Sequence, residues 1–214
     1  TSPRRAVDLT QPPGRDFRTR DARLPPLEAS RTHRVDLTVR ERELEVAPAT
    51  TLAAMTYNGQ FMGPVLQARL GDRMQVHLVN DGSMGHSIDF HASRASPDTT
   101  MRTISPGQSL DVEFTIDHAG IWLYHCSTMP MSAHIAAGMF GALIVAPADL
   151  PTVDRQYVLV QSETYLAEQN NQPVDTGKIA DEKVDLTMFN GHANQYLFCL
   201  LYTSPSPRDR TRSR

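Results

Sequence analysis

The stretch Y-H-C-S-T-M-P-M-S-A-H-I-A-A-G-M-F-G, residues 124–141, decides how this chain is read. It carries a thiol at Cys126, an imidazole at His134 and a thioether at Met139, with seven residues between the first two and four between the last two. A fourth donor, His86, lies about forty residues upstream. That separation is expected where two strands of a β-sandwich bring distant donors together. A thiolate, two imidazoles and one long thioether bond suit a copper ion that cycles between two oxidation states, so His86, Cys126, His134 and Met139 read as a blue copper ligand set. Two further histidines are interleaved with it. His91 closes the run H-S-I-D-F-H that begins at His86, and His125 directly precedes Cys126. An electron-transfer set with a second histidine set joined to it reads as a redox enzyme.

Outward from this stretch the pattern is that of strands. Leu110, Val112, Phe114 and Ile116 alternate with Asp111, Glu113, Thr115 and Asp117, and Met74, Val76 and Leu78 alternate with Arg73, Gln75 and His77. Both runs have the period of a half-buried strand. Turn signals separate the runs at Asn58-Gly59, Gly71-Asp72, Asp81-Gly82, Pro106-Gly107 and Ala119-Gly120. Short strands so spaced predict an all-β sandwich or barrel closing near Ala146-Pro147.

Composition sets outer bounds. The chain has 214 residues, enough for one domain and part of a second. Charged residues make up 21% and the formal net charge is -3, which gives no electrostatic case for nucleic acid. No apolar run is long enough to span a membrane. Of the two cysteines, Cys126 is better explained as a metal ligand than as the disulfide partner of Cys199. Residues 1–30, rich in Pro, Arg and Asp, read as a linker or arm. Residues 31–148 read as the first domain. A second strand-like run starts at Arg155, and M-F-N-G-H-A-N-Q-Y at 188–196 echoes M-T-Y-N-G-Q-F at 55–61. Residues 149–198 are therefore expected to begin a second domain of the same type and not to finish it, with a polar loop over 166–185. The basic Ser/Pro-rich tail 199–214 fits nothing before it. It resembles translated sequencing-adapter read-through.

H-S-I-D-F-H, Y-H-C and H-I-A-A-G-M-F-G-A-L-I-V together resemble the first cupredoxin domain of copper-containing nitrite reductases, within the wider multicopper oxidase family. M-T-Y-N-G-Q-F-M-G-P-V-L-Q-A-R-L-G-D is similar to that domain's opening, with Met62 where a proline is usual. The resemblance covers roughly residues 34–198. It implies a cupredoxin-like Greek-key β-sandwich followed by the truncated start of a second one. It further implies a trimer of two-domain subunits that reduces nitrite outside the cytoplasm, in the periplasm or at the cell surface, with a small redox protein as donor. The copper of the His86, Cys126, His134 and Met139 set is then type 1. A second, type 2 copper would be held by His91 and His125, with a third histidine from a neighbouring subunit. Asp89 matches the family's catalytic aspartate, a group able to relay a proton to bound substrate. Ser87 stands where the family often has Asn, and its hydroxyl is expected to hydrogen-bond the backbone near Cys126. His192 reads as a loop histidine; His33, His77 and His118 read as structural or solvated. On this reading the chain alone binds about one copper tightly, turns blue, forms no stable trimer and shows little nitrite reduction.

Two rivals stay open. A laccase-like oxidase needs eight histidines around three coppers, mostly as His-X-His pairs, and no such pair occurs here. A lone blue copper carrier would leave His91, His125 and Asp89 without a role. A structural zinc site is weaker again, because Met is a poor zinc ligand.

Overall fold

The computed structural model describes residues 6–151 and 153–197; Cys199 and the tail expected to be foreign lie outside them. The chain forms β1 (Thr32–Ala47), β2 (Thr50–Tyr57), β3 (Leu66–Arg69), β4 (Arg73–Asn80), β5 (Asp89–Phe90), α1 (Pro97–Thr100), β6 (Ser109–Thr115), β7 (Gly120–His125), α2 (Met131–Ala136) and β8 (Phe140–Ala146). Beyond these come β9 (Gln161–Thr164), α3 (Thr176–Ala180) and β10 (Leu186–Phe189). Two four-stranded sheets, ordered β2-β1-β4-β6 and β3-β8-β7-β5, make the body. β1 and β4 run parallel, as do β3 and β8, so the chain must cross between sheets rather than meander within one. The fold is all-β and cupredoxin-like.

Side-chain period places the core. In β6 Leu110, Val112 and Phe114 are buried while Ser109, Asp111, Glu113 and Thr115 are exposed. Met74, Val76 and Leu78 of β4 and Leu37 and Val39 of β1 join them in a cluster with Phe90, Tyr124, Cys126, Leu143 and Val145 from the facing sheet. Cys126 and Met139 are therefore part of the hydrophobic core, and the segment between them is anchored at both ends by packing.

Tyr124 fixes the inner face of β7. It is fully buried, stacks on Phe90 with ring centroids 5.3 Å apart, and donates a 2.6 Å hydrogen bond to the Pro64 carbonyl. Its ring lies directly over Gly141 on the paired strand β8, where any Cβ would overlap it. Gly141→Ala is expected to destabilise the fold by about 1–3 kcal/mol, the usual range for overpacking a filled core. Denaturant unfolding of the variant against the parent checks it.

Residues 6–30 form an arm laid along the body, not a free linker. Ala22 and Leu24 exchange backbone hydrogen bonds with Val158 and Gln156. The Arg20 guanidinium donates to the carbonyls of Phe61, Met62 and Gly63. Residues 153–197 pack on the same body. Leu166, Val174, Leu186 and Met188 share a second buried cluster with Val46, Leu52, Phe61, Ala136 and Phe140. The stretch 166–185 is not all loop, since it contains α3, capped by the Asp175 carboxylate accepting from the Lys178 N–H.

The echo between 55–61 and 188–196 has a backbone counterpart. Asn58-Gly59 after β2 and Asn190-Gly191 after β10 all take left-handed φ, at 58°, 74°, 52° and 90°. Each pair closes a tight turn, bridging Tyr57 with Gln60 in one case and Phe189 with His192 in the other. Asn and Gly are the residues that tolerate this region.

Candidate metal centres

β7 carries two sites because a strand sends successive side chains to opposite faces. Trp122 and Tyr124 point to the core, while Ile121 and Leu123 are exposed on the outer face. The strand ends at His125, and Cys126 follows it back into the core. β5 repeats the split. It pairs antiparallel with β7, Phe90 opposite Tyr124 on the core side and Asp89 opposite His125 on the other.

The inner cluster gathers His86, Cys126 and His134, all buried. Cys126 Sγ lies 3.3 Å from His134 Nδ1 and 3.9 Å from His86 Nδ1. His134 sits on α2, a helix the sequence reading did not anticipate in the loop after Cys126. Met139 follows that helix and is fully buried; its N–H donates to the His134 carbonyl, and its carbonyl accepts from the Cys126 N–H, both at 3.0 Å. Gly138, with φ at 116°, makes the turn between them. A Cβ there would sit 3.0 Å from the Met55 carbonyl oxygen, so the position requires glycine on both counts.

Burial pushes the Cys126 thiol up, but the facing His134 and His86 rings and the Ser87 and Thr128 backbone outweigh it and bring it down to about 5. The sulfur is thus a thiolate at neutral pH, the form that binds metal. Ser87 behaves as expected and more. Its Oγ accepts from the Ser127 N–H at 3.0 Å and from the Thr128 hydroxyl at 3.1 Å, and it stands 3.8 Å from Cys126 Sγ. With its lone pairs engaged, its own proton is left for the sulfur.

The outer cluster gathers Asp89, His91 and His125. The Nε2 atoms of His91 and His125 are 3.0 Å apart, and Asp89 Oδ2 is 3.6 Å from His91 Nε2. His125 is buried at 6% exposure, while the His91 side chain is 45% exposed. His125 Nδ1 donates to the Cys126 carbonyl at 2.9 Å. That bond places the proton on Nδ1 and leaves Nε2 as the bare nitrogen facing His91 and Asp89.

Other histidines fall elsewhere. His33 is buried against Asp72 at 2.7 Å, His77 meets Asp111 on the surface, and His118 meets Asp117 and Arg94. His192, read as a loop histidine, is buried, with Nε2 3.1 Å from Glu45 and its ring against Phe17 of the arm. One contributor to the inner cluster went unnoticed in the sequence: Glu41 Oε1, 3.5 Å from His86 Nε2.

The family model for multicopper oxidases matches residues 38–149. The chain belongs to the multicopper oxidase family. Among curated proteins it is 30% identical over 167 residues to the copper-containing nitrite reductase of Neisseria gonorrhoeae, covering 74% of this chain and 43% of that protein. It is 38% identical over 129 residues to that of Pseudomonas chlororaphis, covering 55% and 36%. Among solved structures, a copper nitrite reductase from Nitrosomonas europaea superposes with a TM-score of 0.69 at 36% identity, covering 75% of this chain and 57% of that one. A multicopper oxidase structure superposes at 0.65 and 29% identity, covering 87% and 63%. The chain spans less than half the length of the first of these curated relatives. Copper is this family's metal, and the buried thiolate between two imidazole nitrogens suits it.

Proposed function

We propose that this chain carries the type 1 copper site of a nitrite reductase that forms nitric oxide, together with its own share of the type 2 site. The carrying observation is the outer cluster. It offers two imidazoles and one carboxylate, joined to the thiolate by a single peptide link and by the His125–Cys126 hydrogen bond. Two histidines suit a share of one further copper; a three-copper cluster would call for more.

In this reading His86, Cys126, His134 and Met139 hold the type 1 copper, and His91 and His125 hold the type 2 copper with one ligand from elsewhere. Bound copper supplies one-electron transfer and a Lewis-acid site for nitrite. The reaction takes nitrite, one electron and two protons to nitric oxide and water, the electron coming from a small redox protein. Asp89, 3.6 Å from His91, would hold a proton and pass it to an oxygen of nitrite bound beside the imidazoles. His125 keeps its Nε2 lone pair directed at the site because its Nδ1 proton is engaged by the Cys126 carbonyl. The trimer and a location outside the cytoplasm belong to the same proposal, as does the second domain begun over 149–198, which the repeated Asn-Gly turn supports.

A two-domain multicopper oxidase is the second reading, favoured by the 87% cover of this chain on an oxidase structure. Steady-state assays on the protein extended to the length of its relatives separate the two. Nitrite-dependent nitric oxide release is expected; efficient reduction of oxygen to water with no use of nitrite would give the chain to the oxidases.

A further inference from the structure

The turn after β4 passes across β1 just where β1 stops pairing with β4. The last register pair is Val39 with Asn80, and the Asp81 N–H still bonds the Val39 carbonyl at 3.1 Å. Two residues further along β1, Glu41 reaches over this turn. Both of its carboxylate oxygens lie 3.0 Å from the Ser83 N–H, and the Ser83 hydroxyl donates to Oε1 at 3.3 Å. The turn is held from below by Asn80. Its Oδ1 accepts from the Gly82 N–H at 3.0 Å, and its Nδ2 donates to the Met84 and Ile104 carbonyls. Gly82 leaves the room. A Cβ there would stand 2.9 and 3.0 Å from the two Glu41 oxygens, so the carboxylate lies where an alanine methyl would be.

This carboxylate faces His86. The ring is fully buried, and its Nδ1 faces Cys126 Sγ, which puts the ring proton on Nε2. A buried N–H needs an acceptor, and Glu41 Oε1 stands 3.5 Å from that nitrogen. A carboxylate on the far nitrogen of a metal-binding histidine fixes its tautomer and makes the ring a stronger donor. A stronger donor stabilises the more highly charged cupric ion over the cuprous one.

We propose that Glu41, seated on the Asp81–Gly82–Ser83 turn, is a positioning residue for the type 1 site that orients His86 and lowers the reduction potential of its copper. The proposal rests on the type 1 reading of the inner cluster and is independent of whether the substrate is nitrite or oxygen. It is tested on the copper-loaded chain by redox titration of the visible absorption. Glu41→Gln keeps an acceptor of the same shape and removes the charge. Gly82→Ala keeps the charge and pushes the carboxylate off the turn. Glu43→Gln, on the same strand with its carboxylate on the Thr51 hydroxyl, is the control for a general change of charge.

Glu41→Gln is expected to stay blue and to lose about ten-fold in its preference for cupric over cuprous copper. That is a rise of about 59 mV for a one-electron couple. Gly82→Ala is expected to move the same way by less, and Glu43→Gln to match the parent. An unchanged or lowered potential in Glu41→Gln overturns the proposal, as does an equal rise in Glu43→Gln. An unmoved potential in Gly82→Ala overturns the role of the turn. A parent chain that takes up copper without turning blue overturns the type 1 reading itself, and the two failures are thereby told apart.

Discussion

Asp89→Asn, introduced into this protein extended to the length of its relatives, is expected to lower nitrite turnover by about two orders of magnitude or more, the usual scale for a proton-transferring group. The substitution keeps the size and one acceptor oxygen but removes the only carboxylate of the outer cluster. The Asp89 side chain is 24% exposed and 3.6 Å from His91, so a small anion bound at the imidazoles would come within its reach. The type 1 spectrum should hardly change, because Asp89 sits on the opposite face of the sheet from Cys126, with the stacked Phe90 and Tyr124 rings on the core side. Paired measurement of turnover and visible absorption checks both halves. A variant that reduces nitrite at the parent rate would remove Asp89 from the mechanism. His91→Ala gives the complementary result, loss of the second metal with the blue one retained.

The parts legible in the sequence were those fixed by local pattern. Alternation in β4 and β6 gave strands and their buried faces, because a half-buried strand repeats every two residues. Cys126, His134 and Met139 could be read as a set because they fall within one short stretch of sequence.

What the sequence hid was set by pairing between distant segments. Glu41 lies 45 residues from His86, and nothing beside it marks it as different from Glu43 or Glu45. Gly82 could be read only as a turn residue, since its second role depends on which side chain crosses it. The arm carried no apolar period because it is held by backbone bonds and by Arg20 on three carbonyls, which leave no trace in hydrophobic pattern. His192 passed as a loop residue because Glu45 and Phe17 reach it from far along the chain. The short helix α2 was masked by its one candidate ligand, His134, though Ala133 and Ala136 favour it.

Cys126→Ser is expected to abolish the visible colour of the copper-loaded protein completely while leaving it folded. The colour of a blue site comes from charge transfer between a thiolate and cupric copper, and Cys126 is the only sulfur of the inner cluster that carries charge. The Cys126 thiol, brought down to about 5 by the rings and backbone around it, is already ionised at neutral pH. A serine hydroxyl in its place stays protonated and far harder, so it offers neither the charge nor the soft orbital. Folding should survive for three reasons. The volume change is small, the Cys126 N–H to Met139 carbonyl bond is backbone, and the new hydroxyl finds His134 Nδ1 where the sulfur had it at 3.3 Å. Circular dichroism and unfolding measurements check that part. The outer cluster offers an internal control. His91 and His125 keep their 3.0 Å approach, and the Cys126 carbonyl that orients His125 is backbone too. In the protein extended to the length of its relatives, metal uptake at the outer site should therefore persist in the variant, while electrons delivered by a redox-protein donor no longer reach it. A Cys126→Ser protein with the parent's visible absorption would mean that the colour arises elsewhere, and the assignment of all four inner ligands would fall with it.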